Sequence, residues 1–328
     1  MDKNQLYKDL SVKVGLGDSE HLHDVWRLLC TDEEAAVANM LPGTVSEVAE
    51  KAGKTPEETE NILVSLFKKG VAFRSDRGQG MYYKLAKTIV QLHDATLLWE
   101  GANDEFFDAW KKVMDEEFSG FLRSMPESFQ LPSFMRVIPI NENIEARNEV
   151  LTFEECEKML SGSENIAVVK CPCRLSQKSC DSPVEACIQI NRGAEYVIDR
   201  GHGRSINMDE ALEIIRKSRD AGLVQMTENR SKGNAICNCC SCCCEMFRLV
   251  ERSGKKWILS PSRYKAKIGD KCNACGDCID ICPVDAVTVN EIAEVDADVC
   301  MGCGLCATAC PEDVITLEVV RPEGHIPG

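Results

Sequence analysis

The sequence predicts a multidomain α+β protein. Its 328 residues allow two or three domains of about 100–200 residues each. Residues 1–90 carry helical periodicity followed by a hairpin pattern, and two matching cysteine runs later in the chain each lead into a short apolar strand. We expect four segments: helices and a hairpin in 1–90, a helical connector in 91–160, a mostly helical, cysteine-rich middle in 161–265, and the doubled cysteine run in 266–320.

Cysteine is the outlier of the composition, at 20 of 328 residues, 18 of which follow residue 170. The first residues lack the apolar stretch of a secretory signal, and no window approaches ~18 consecutive apolar residues. We therefore expect a cytoplasmic protein without a membrane span, whose clustered thiols bind metal and do not form disulfides. Acidic residues outnumber basic ones by 53 to 38, for a net charge of −15, which argues against a chain built to bind phosphates.

Residues 1–90 have the pattern of short helices followed by a hairpin. Apolar stripes predict helices over 22–29 and 45–52. Thr55-Pro56-Glu57-Glu58 has the residue types of a capping box with proline at the first helical position, and it predicts the start of another helix. Two apolar runs then flank the glycine-rich stretch 74–80, which predicts the tip of a hairpin.

This order of helices and hairpin resembles a winged-helix domain over about 70 residues. The resemblance implies DNA binding only if the second helix of the motif can approach phosphates and bases. Its first turn carries Glu57, Glu58 and Glu60, which repel a phosphate backbone. In the wing, the basic residues that are well placed to contact DNA are Arg74 and Arg77. We therefore favour a winged-helix-like domain that docks on protein, and we expect no DNA partner.

The sequence pattern predicts mostly helix in the connector and at the start of the middle segment. Aromatic and aliphatic residues recur at helical spacing between Phe106 and Leu122, which predicts a helix packed in a core. Glu154–Leu160 predicts a short helix, and the β-branched run Ile166–Val169 predicts a buried strand.

Three further helices are expected in the middle segment. The first spans Val184–Arg200, and the second spans Met208–Ala221 with Asn207 as its N-cap. The third begins near Cys244. These helices alternate with loops that carry most of the cysteines of this segment.

The strongest signal is a doubled cysteine run. Cys272-x2-Cys275-x2-Cys278-x3-Cys282-Pro283 returns 28 residues later as Cys300-x2-Cys303-x2-Cys306-x3-Cys310-Pro311. Three thiolates two residues apart can wrap one face of an iron–sulfur cube, whereas zinc knuckles pair across a longer gap. Gly276, Gly302 and Gly304 allow the loops to close tightly.

The doubled run resembles bacterial ferredoxins over about 50 residues. The resemblance implies two [4Fe–4S] clusters, with the fourth cysteine of each run crossing to the other cluster, and a βαβ pseudo-repeat. The implied ligands of one cluster are Cys272, Cys275, Cys278 and Cys310. The implied ligands of the other are Cys282, Cys300, Cys303 and Cys306.

The region around this run is strongly acidic. Residues 268–320 hold 11 acidic residues and one basic residue. Such a field solvates the surface, and it also steers a basic redox partner towards the domain. We expect a redox partner protein or a larger oxidoreductase complex.

A second set of cysteines occupies the middle segment in a spacing typical of neither ferredoxins nor zinc knuckles. Its candidate metal ligands are Cys171, Cys173, Cys180, Cys187, Cys237, Cys239, Cys240, Cys242, Cys243 and Cys244. Adjacent cysteines of an extended chain point to opposite sides, so these residues suit two centres or one larger centre. We favour one or more additional iron–sulfur clusters, with structural zinc and a free redox dithiol as alternatives. The single Cys30 and Cys156 are expected to be buried apolar side chains.

The whole arrangement is similar to a family of iron–sulfur proteins from anaerobes, with a winged-helix-like front, a Cys-x-Cys-Arg and Cys-x-Cys-Cys-x-Cys-Cys-Cys centre, and a dicluster ferredoxin end. We expect an electron-transfer protein or oxidoreductase subunit that relays single electrons through two [4Fe–4S] clusters to the further centre or to a partner. We favour this component role over that of a stand-alone enzyme. One alternative is a redox-responsive winged-helix regulator. Another is a reductase with an open-site cluster in the middle domain.

Overall fold

The computed structural model describes residues 3–78, 80–129, 131–140, 142, 144 and 154–327. The described helices, in chain order, are α1 (Lys3–Lys13), α2 (His21–Leu29), α3 (Asp32–Asn39), α4 (Val45–Ala52), α5 (Pro56–Lys68), α6 (Ile89–Thr96), α7 (Asp104–Lys112), α8 (Ser119–Ser124), α9 (Cys156–Ser161), α10 (Pro172–Gln177), α11 (Arg192–Arg200), α12 (Met208–Asp220), α13 (Glu245–Ser253), α14 (Asp277–Asp280) and α15 (Leu305–Ala309). Within the described ranges, every helix is too short or too polar to cross a membrane.

The described strands form four separate sheets. In chain order they are β1 (Gly43–Thr44), β2 (Ala72–Asp76), β3 (Met81–Leu85), β4 (Met135–Val137), β5 (Ile166–Lys170), β6 (Glu185–Ile190), β7 (Gly203–Ser205), β8 (Val224–Glu228), β9 (Ala235–Cys239), β10 (Leu259–Ser260), β11 (Tyr264–Ile268), β12 (Val287–Val289), β13 (Ala293–Val295) and β14 (Ile315–Val319). The protein is therefore a mixed α and β structure, as the sequence predicts.

The chain divides into two compact units. The first unit comprises residues 1–124, 172–177 and 199–202, and the second comprises 125–171, 178–198 and 203–328. The finer division into four domains stays a prediction.

The first unit contains an antiparallel sheet of order β1-β3-β2 next to α4 and α5. Helix α5 starts with a capping box, in which Thr55 Oγ1 accepts from the Glu58 amide at 3.3 Å and Glu58 Oε2 accepts from the Thr55 amide at 3.0 Å. The helices predicted over 22–29, over 45–52 and from Pro56 are confirmed. Strand β2 reaches further into the hairpin than predicted, to Asp76, whereas β3 begins at Met81, directly after the predicted tip. The winged-helix assignment itself stays a prediction.

The aromatic stripe of the connector packs in the core of the first unit. Phe106, Trp110 and Met114 are each at most 1% exposed, which confirms that this stripe is packing surface. The helix is not uniform, because α7 continues into a π-helical segment, Val113–Phe118, before α8 begins. The connector is also not helical throughout, because Met135–Val137 is a strand.

The second unit is built on a seven-stranded sheet of order β10-β4-β8-β9-β6-β5-β7. The β10–β4 pair is parallel and the other pairs are antiparallel. Helices α9 and α12 contribute to its apolar core, which includes Leu160, Ile188, Ile215 and Ile236. The predicted helix near Met208 begins at that residue, and Asn207 Oδ1 accepts from the Glu210 amide at 2.9 Å.

The prediction of a mostly helical middle is wrong, and the helix predicted over Val184–Arg200 shows why. Residues 185–190 form β6, which pairs with β5 on one side and β9 on the other. Ile188 is fully buried between these strands, so tertiary pairing overrides the local helical pattern. Asn191, at φ +50°, ends the strand, and only the part from Arg192 is helical.

The last part of the second unit contains two βαβ repeats that pair with each other. Strand β11 pairs antiparallel with β14, and β12 pairs with β13. Each repeat therefore contributes one strand to each small sheet, with α14 and α15 packed together between them. Strand β11 begins at Tyr264, before the predicted segment boundary at 266.

Candidate metal centres

Four of the predicted ligands line one cavity in the last part of the chain, which we call the first cavity. Its cysteines are Cys272, Cys275, Cys278 and Cys310. The cavity measures about 300 Å³, including its solvent-open part, and its remaining walls are largely apolar. Cys278 is buried, whereas Cys275 is exposed, so the cavity opens on the side of Cys275.

The other four line the second cavity, of about 350 Å³. Its cysteines are Cys282, Cys300, Cys303 and Cys306. Cys300 and Cys306 are both buried. In each cavity four soft sulfur donors face one apolar space, a donor set that suits an iron–sulfur cube. The structure thus brings together the two sets that the ferredoxin resemblance implies, and their role as ligands stays a prediction.

Left-handed backbone turns shape the loops around both cavities. Gly276, Gly302 and Gly304 have φ values of +93°, +63° and +88°, so the predicted tight closure is present. Ala274 occupies the position of the first run that corresponds to Gly302, and it adopts a similar φ of +59°. The loop of the first run therefore accommodates a side chain at position 274. At Gly302 a Cβ would collide with the carbonyl oxygen of Tyr264.

Backbone amides of the fold support the cavity thiols. The Ala286 amide donates to Cys282 Sγ at 3.3 Å, and the Ala293 amide donates to Cys272 Sγ at 3.4 Å. Such bonds stabilise the thiolate form and tune the potential of a bound cluster. Burial raises the pKa of the Cys303 thiol to about 12, so this side chain needs a metal ion to become an anionic ligand at neutral pH.

The loop of the second cavity is anchored to the body of the second unit. The Ile140 amide donates to the Cys303 carbonyl at 3.0 Å. Ser262 donates through its amide to the Met301 carbonyl at 3.0 Å and through Oγ to the Gly302 carbonyl at 2.7 Å. The second cavity is therefore the inner one, while the first keeps an exposed cysteine.

A family model described as a 4Fe-4S dicluster domain matches residues 270–317. This segment resembles a 4Fe-4S dicluster domain. No curated protein and no solved structure matches the chain. The match covers both cysteine runs, and we call residues 270–317 the dicluster segment. Its resemblance supports [4Fe–4S] clusters as the groups that the two cavities hold.

Outside the dicluster segment, four middle cysteines meet in a set that we call the loop thiol group. It consists of Cys180, Cys240, Cys242 and Cys243, whose sulfur atoms all lie within 4.8 Å of one another. Cys180 Sγ lies 3.7 Å from the sulfur atoms of both Cys240 and Cys243. Four sulfur donors at this spacing can hold one metal ion or one small cluster. Cys242 is exposed, so the group lies at the surface of the second unit.

The charge state of the loop thiol group also suits a metal. Burial opposes ionisation of Cys180, but hydrogen bonds with Ser182, Cys242 and Cys240 lower its pKa to about 6. A thiol with that pKa is largely thiolate at neutral pH, which is the form that ligates metal.

Five further cysteines form the sheet thiol group: Cys171, Cys187, Cys237, Cys239 and Cys244. The Cys187 thiol interacts electrostatically with the thiols of Cys171 and Cys237, and the Cys239 thiol interacts with those of Cys237 and Cys244. The adjacent residues Cys239 and Cys240 thus belong to different groups, as the alternation of an extended chain predicts. Cys242 and Cys243 do not divide in this way, because both join the loop thiol group.

The remaining cysteines lie elsewhere. Cys173 is half-buried on α10, within the first unit, and its role as a ligand stays a prediction. Cys30 and Cys156 are 5% and 2% exposed, which confirms them as buried side chains. Burial raises the pKa of the Cys156 thiol to about 12, so it is protonated and unreactive at neutral pH.

Several supporting residues have no signal in the sequence. Ser182 hydrogen-bonds to Cys180, and Ser262 and Ile140 hold the loop of the second cavity. The amides of Ala286 and Ala293 reach cysteine sulfur atoms. Every residue except proline has an amide donor, so only the folded backbone decides which amides meet a thiolate.

Proposed function

We propose that this chain is an electron-transfer protein that works as a component of an oxidoreductase. The observation that carries the proposal is the placement of eight cysteines around two cavities within the dicluster segment. When bound, [4Fe–4S] clusters supply one-electron redox chemistry. The protein's own part is to hold two such groups side by side, through the packing of α14 against α15.

The two cavities have different roles in this proposal. Cys275 of the first cavity is exposed, which suits exchange of electrons with a partner at the surface. The loop of the second cavity is hydrogen-bonded to Ile140 and Ser262, which suits exchange with a centre inside the second unit. We therefore assign the first cavity to the partner side and the second to the interior side.

The partner in this proposal is a basic redox protein. Residues 268–320 carry 11 acidic residues and one basic residue, so the surface near the first cavity attracts positive charge. The reduced protein should pass electrons to a basic cytochrome c at a rate that falls steeply between about 0.01 and 0.5 M salt. A rate that is independent of salt would exclude this docking mode and leave the cluster sites untouched.

The loop thiol group is the proposed further centre, with iron–sulfur favoured and zinc as the alternative. Its four sulfur atoms lie within 4.8 Å of one another and so provide four donors to one metal centre. This complete donor set disfavours the alternative of a reductase with an open-site cluster in the middle domain. Cys242 is exposed, which supports a centre that a partner can reach.

Metal analysis after oxygen-free purification tests the proposal. The dicluster segment alone accounts for about eight irons and as many acid-labile sulfides per chain. Cys275→Ala and Cys303→Ala should each lose about half of that iron and change the paramagnetic signal of the dithionite-reduced protein. Cys30→Ala, a buried cysteine in the first unit, is the matched control and should keep both. A colourless wild-type protein without labile sulfide would contradict the proposal.

The first unit serves protein docking in this proposal, and DNA binding is the weaker alternative. The first turn of α5 carries Glu57 and Glu58, and Arg74 of the hairpin pairs with Asp199 at 3.2 Å. Arg77 stacks over the Tyr82 ring at 3.5 Å. Cluster-dependent retardation of a DNA fragment in a gel would reverse this preference.

A further inference from the structure

The sheet thiol group is built by the seven-stranded sheet. Cys237 and Cys239 are two residues apart on β9, so they lie on the same face of that strand. The antiparallel β6–β9 register pairs Gln189 with Ala235 and Ile188 with Ile236. Continued by one residue, this register would bring Cys187 opposite Cys237. Cys187, Cys237 and Cys239 therefore lie on the same face of two neighbouring strands.

The other two members come from the ends of adjacent elements. Cys171 directly follows β5, whose Val169 pairs with Cys187. Cys244 is the N-cap of the nine-residue helix α13. The positive end of a helix dipole favours an anionic side chain, so this position suits a thiolate ligand.

Four of the five thiols of this group are buried, whereas the loop thiol group has one buried member, Cys243. Cys171, Cys187, Cys239 and Cys244 are each at most 7% exposed. Isolated buried cysteines behave as small apolar side chains, whereas each of these thiols lies close enough to another to interact with it electrostatically. Sulfur donors gathered away from water match the soft ligand sets of zinc, copper(I) and iron–sulfur sites.

We propose that the sheet thiol group is a metal centre of its own, which holds a thiophilic ion or an iron–sulfur cluster next to the sheet and is separate from the centre of the loop thiol group. The proposal goes beyond the electron-transfer function and does not depend on it. Five thiols exceed the four ligands of a tetrahedral ion or a cube, so one can be lost without losing the site.

Paired double variants of the full chain, purified without oxygen, test the separation of the two groups. Cys187→Ala/Cys239→Ala leaves three thiols in the sheet group, and Cys180→Ala/Cys242→Ala leaves two in the loop group. Iron, zinc, copper and acid-labile sulfide are counted per chain in each. Cys30→Ala is the control for removal of a buried cysteine.

We expect each double variant to lose the metal of one centre, and the combined quadruple variant to lose both. The single variant Cys187→Ala should lose much less than the double, because four thiols remain. Loss of iron with sulfide identifies a cluster, and loss of zinc or copper alone identifies an ion. The proposal would be overturned if the sheet-group double variant kept all of its metal. It would also be overturned if the two double variants lost the same metal and the quadruple variant lost no more than either.

Two measurements keep the test decisive. The paramagnetic signal of the dicluster segment reports the proposed function separately, so it should survive in both double variants. Native mass spectrometry of the wild-type chain counts bound metal without any substitution. The proposal would also be overturned if the measured mass allowed only one metal centre beyond the ferredoxin pair. A mass that showed disulfides among the sheet thiols would overturn it as well.

Discussion

Replacing Gly302 by alanine should damage the second cavity selectively. Gly302 lies between Cys300 and Cys303, in the left-handed region at φ +63°. An added Cβ would lie 2.8 Å from the carbonyl carbon of Tyr264 and still closer to its oxygen. Tyr264 is fully buried and belongs to β11, which pairs with β14, so this backbone cannot withdraw.

The expected cost has two parts. A left-handed conformation costs an L-residue about 1–2 kcal/mol. Forcing a methyl group into a filled space typically costs a further 1–3 kcal/mol, about as much as other overpacking substitutions. We expect Gly302→Ala to lower the free energy of unfolding of the second unit by roughly 2–5 kcal/mol and to remove about half of the dicluster iron, because the loop must move away from its ligand position.

Gly276→Ala is the matched control. Gly276 also has a positive φ, of +93°, but an added Cβ would meet nothing within 4 Å. This variant carries only the conformational cost, about 1–2 kcal/mol, and should keep both cavities loaded. Urea unfolding and iron counts of the two anaerobic proteins make the comparison. Equal stability and equal iron in both variants would refute the argument from the Tyr264 carbonyl.

The remaining predictions concern ion pairs and metal. Arg263→Met should destabilise the second unit by about 3–5 kcal/mol in urea unfolding, because it removes the partner that lies 2.9 Å from the buried Glu154 carboxylate. Burial opposes ionisation of Glu34, but hydrogen bonds with Lys69 and Ser65 lower its pKa. The stability that this carboxylate contributes is present above the ordinary glutamate pKa and is lost as the pH falls through the lowered value, so the melting temperature should fall more steeply between pH 7 and 3 in the wild type than in Glu34→Gln. A strong chelator under reducing conditions should lower the melting temperature, because the clustered thiols lose the ions that hold them together.

Each of these has its own check. Adding Glu154→Gln to Arg263→Met should recover part of the lost stability, and no recovery would mean that the arginine acts by packing and not by charge. Parallel melting curves for Glu34→Gln and the wild type would show that this carboxylate does not titrate with folding. A melting temperature unaffected by the chelator would show that the thiol groups are not metal-bound.

Local structure followed the sequence wherever short-range contacts decide it. The capping box at Thr55 and the N-cap at Asn207 form as predicted, because both partners lie within three residues. The prediction failed at 185–190, where the short apolar run 186–188 does not by itself distinguish a helix from a strand. Pairing with β5 and β9 made the choice, and those strands are distant in sequence.

The sequence by itself determined which residue types the candidate site contains: two matched cysteine runs, their turn-forming glycines and a strongly acidic surrounding composition. These are properties of residue type and close spacing, which one segment contains in full. Only the tertiary structure decided how the middle cysteines divide, with Cys239 in the sheet thiol group and Cys240 in the loop thiol group. That division depends on strand register and loop closure between distant residues, and these are set by packing across the whole unit.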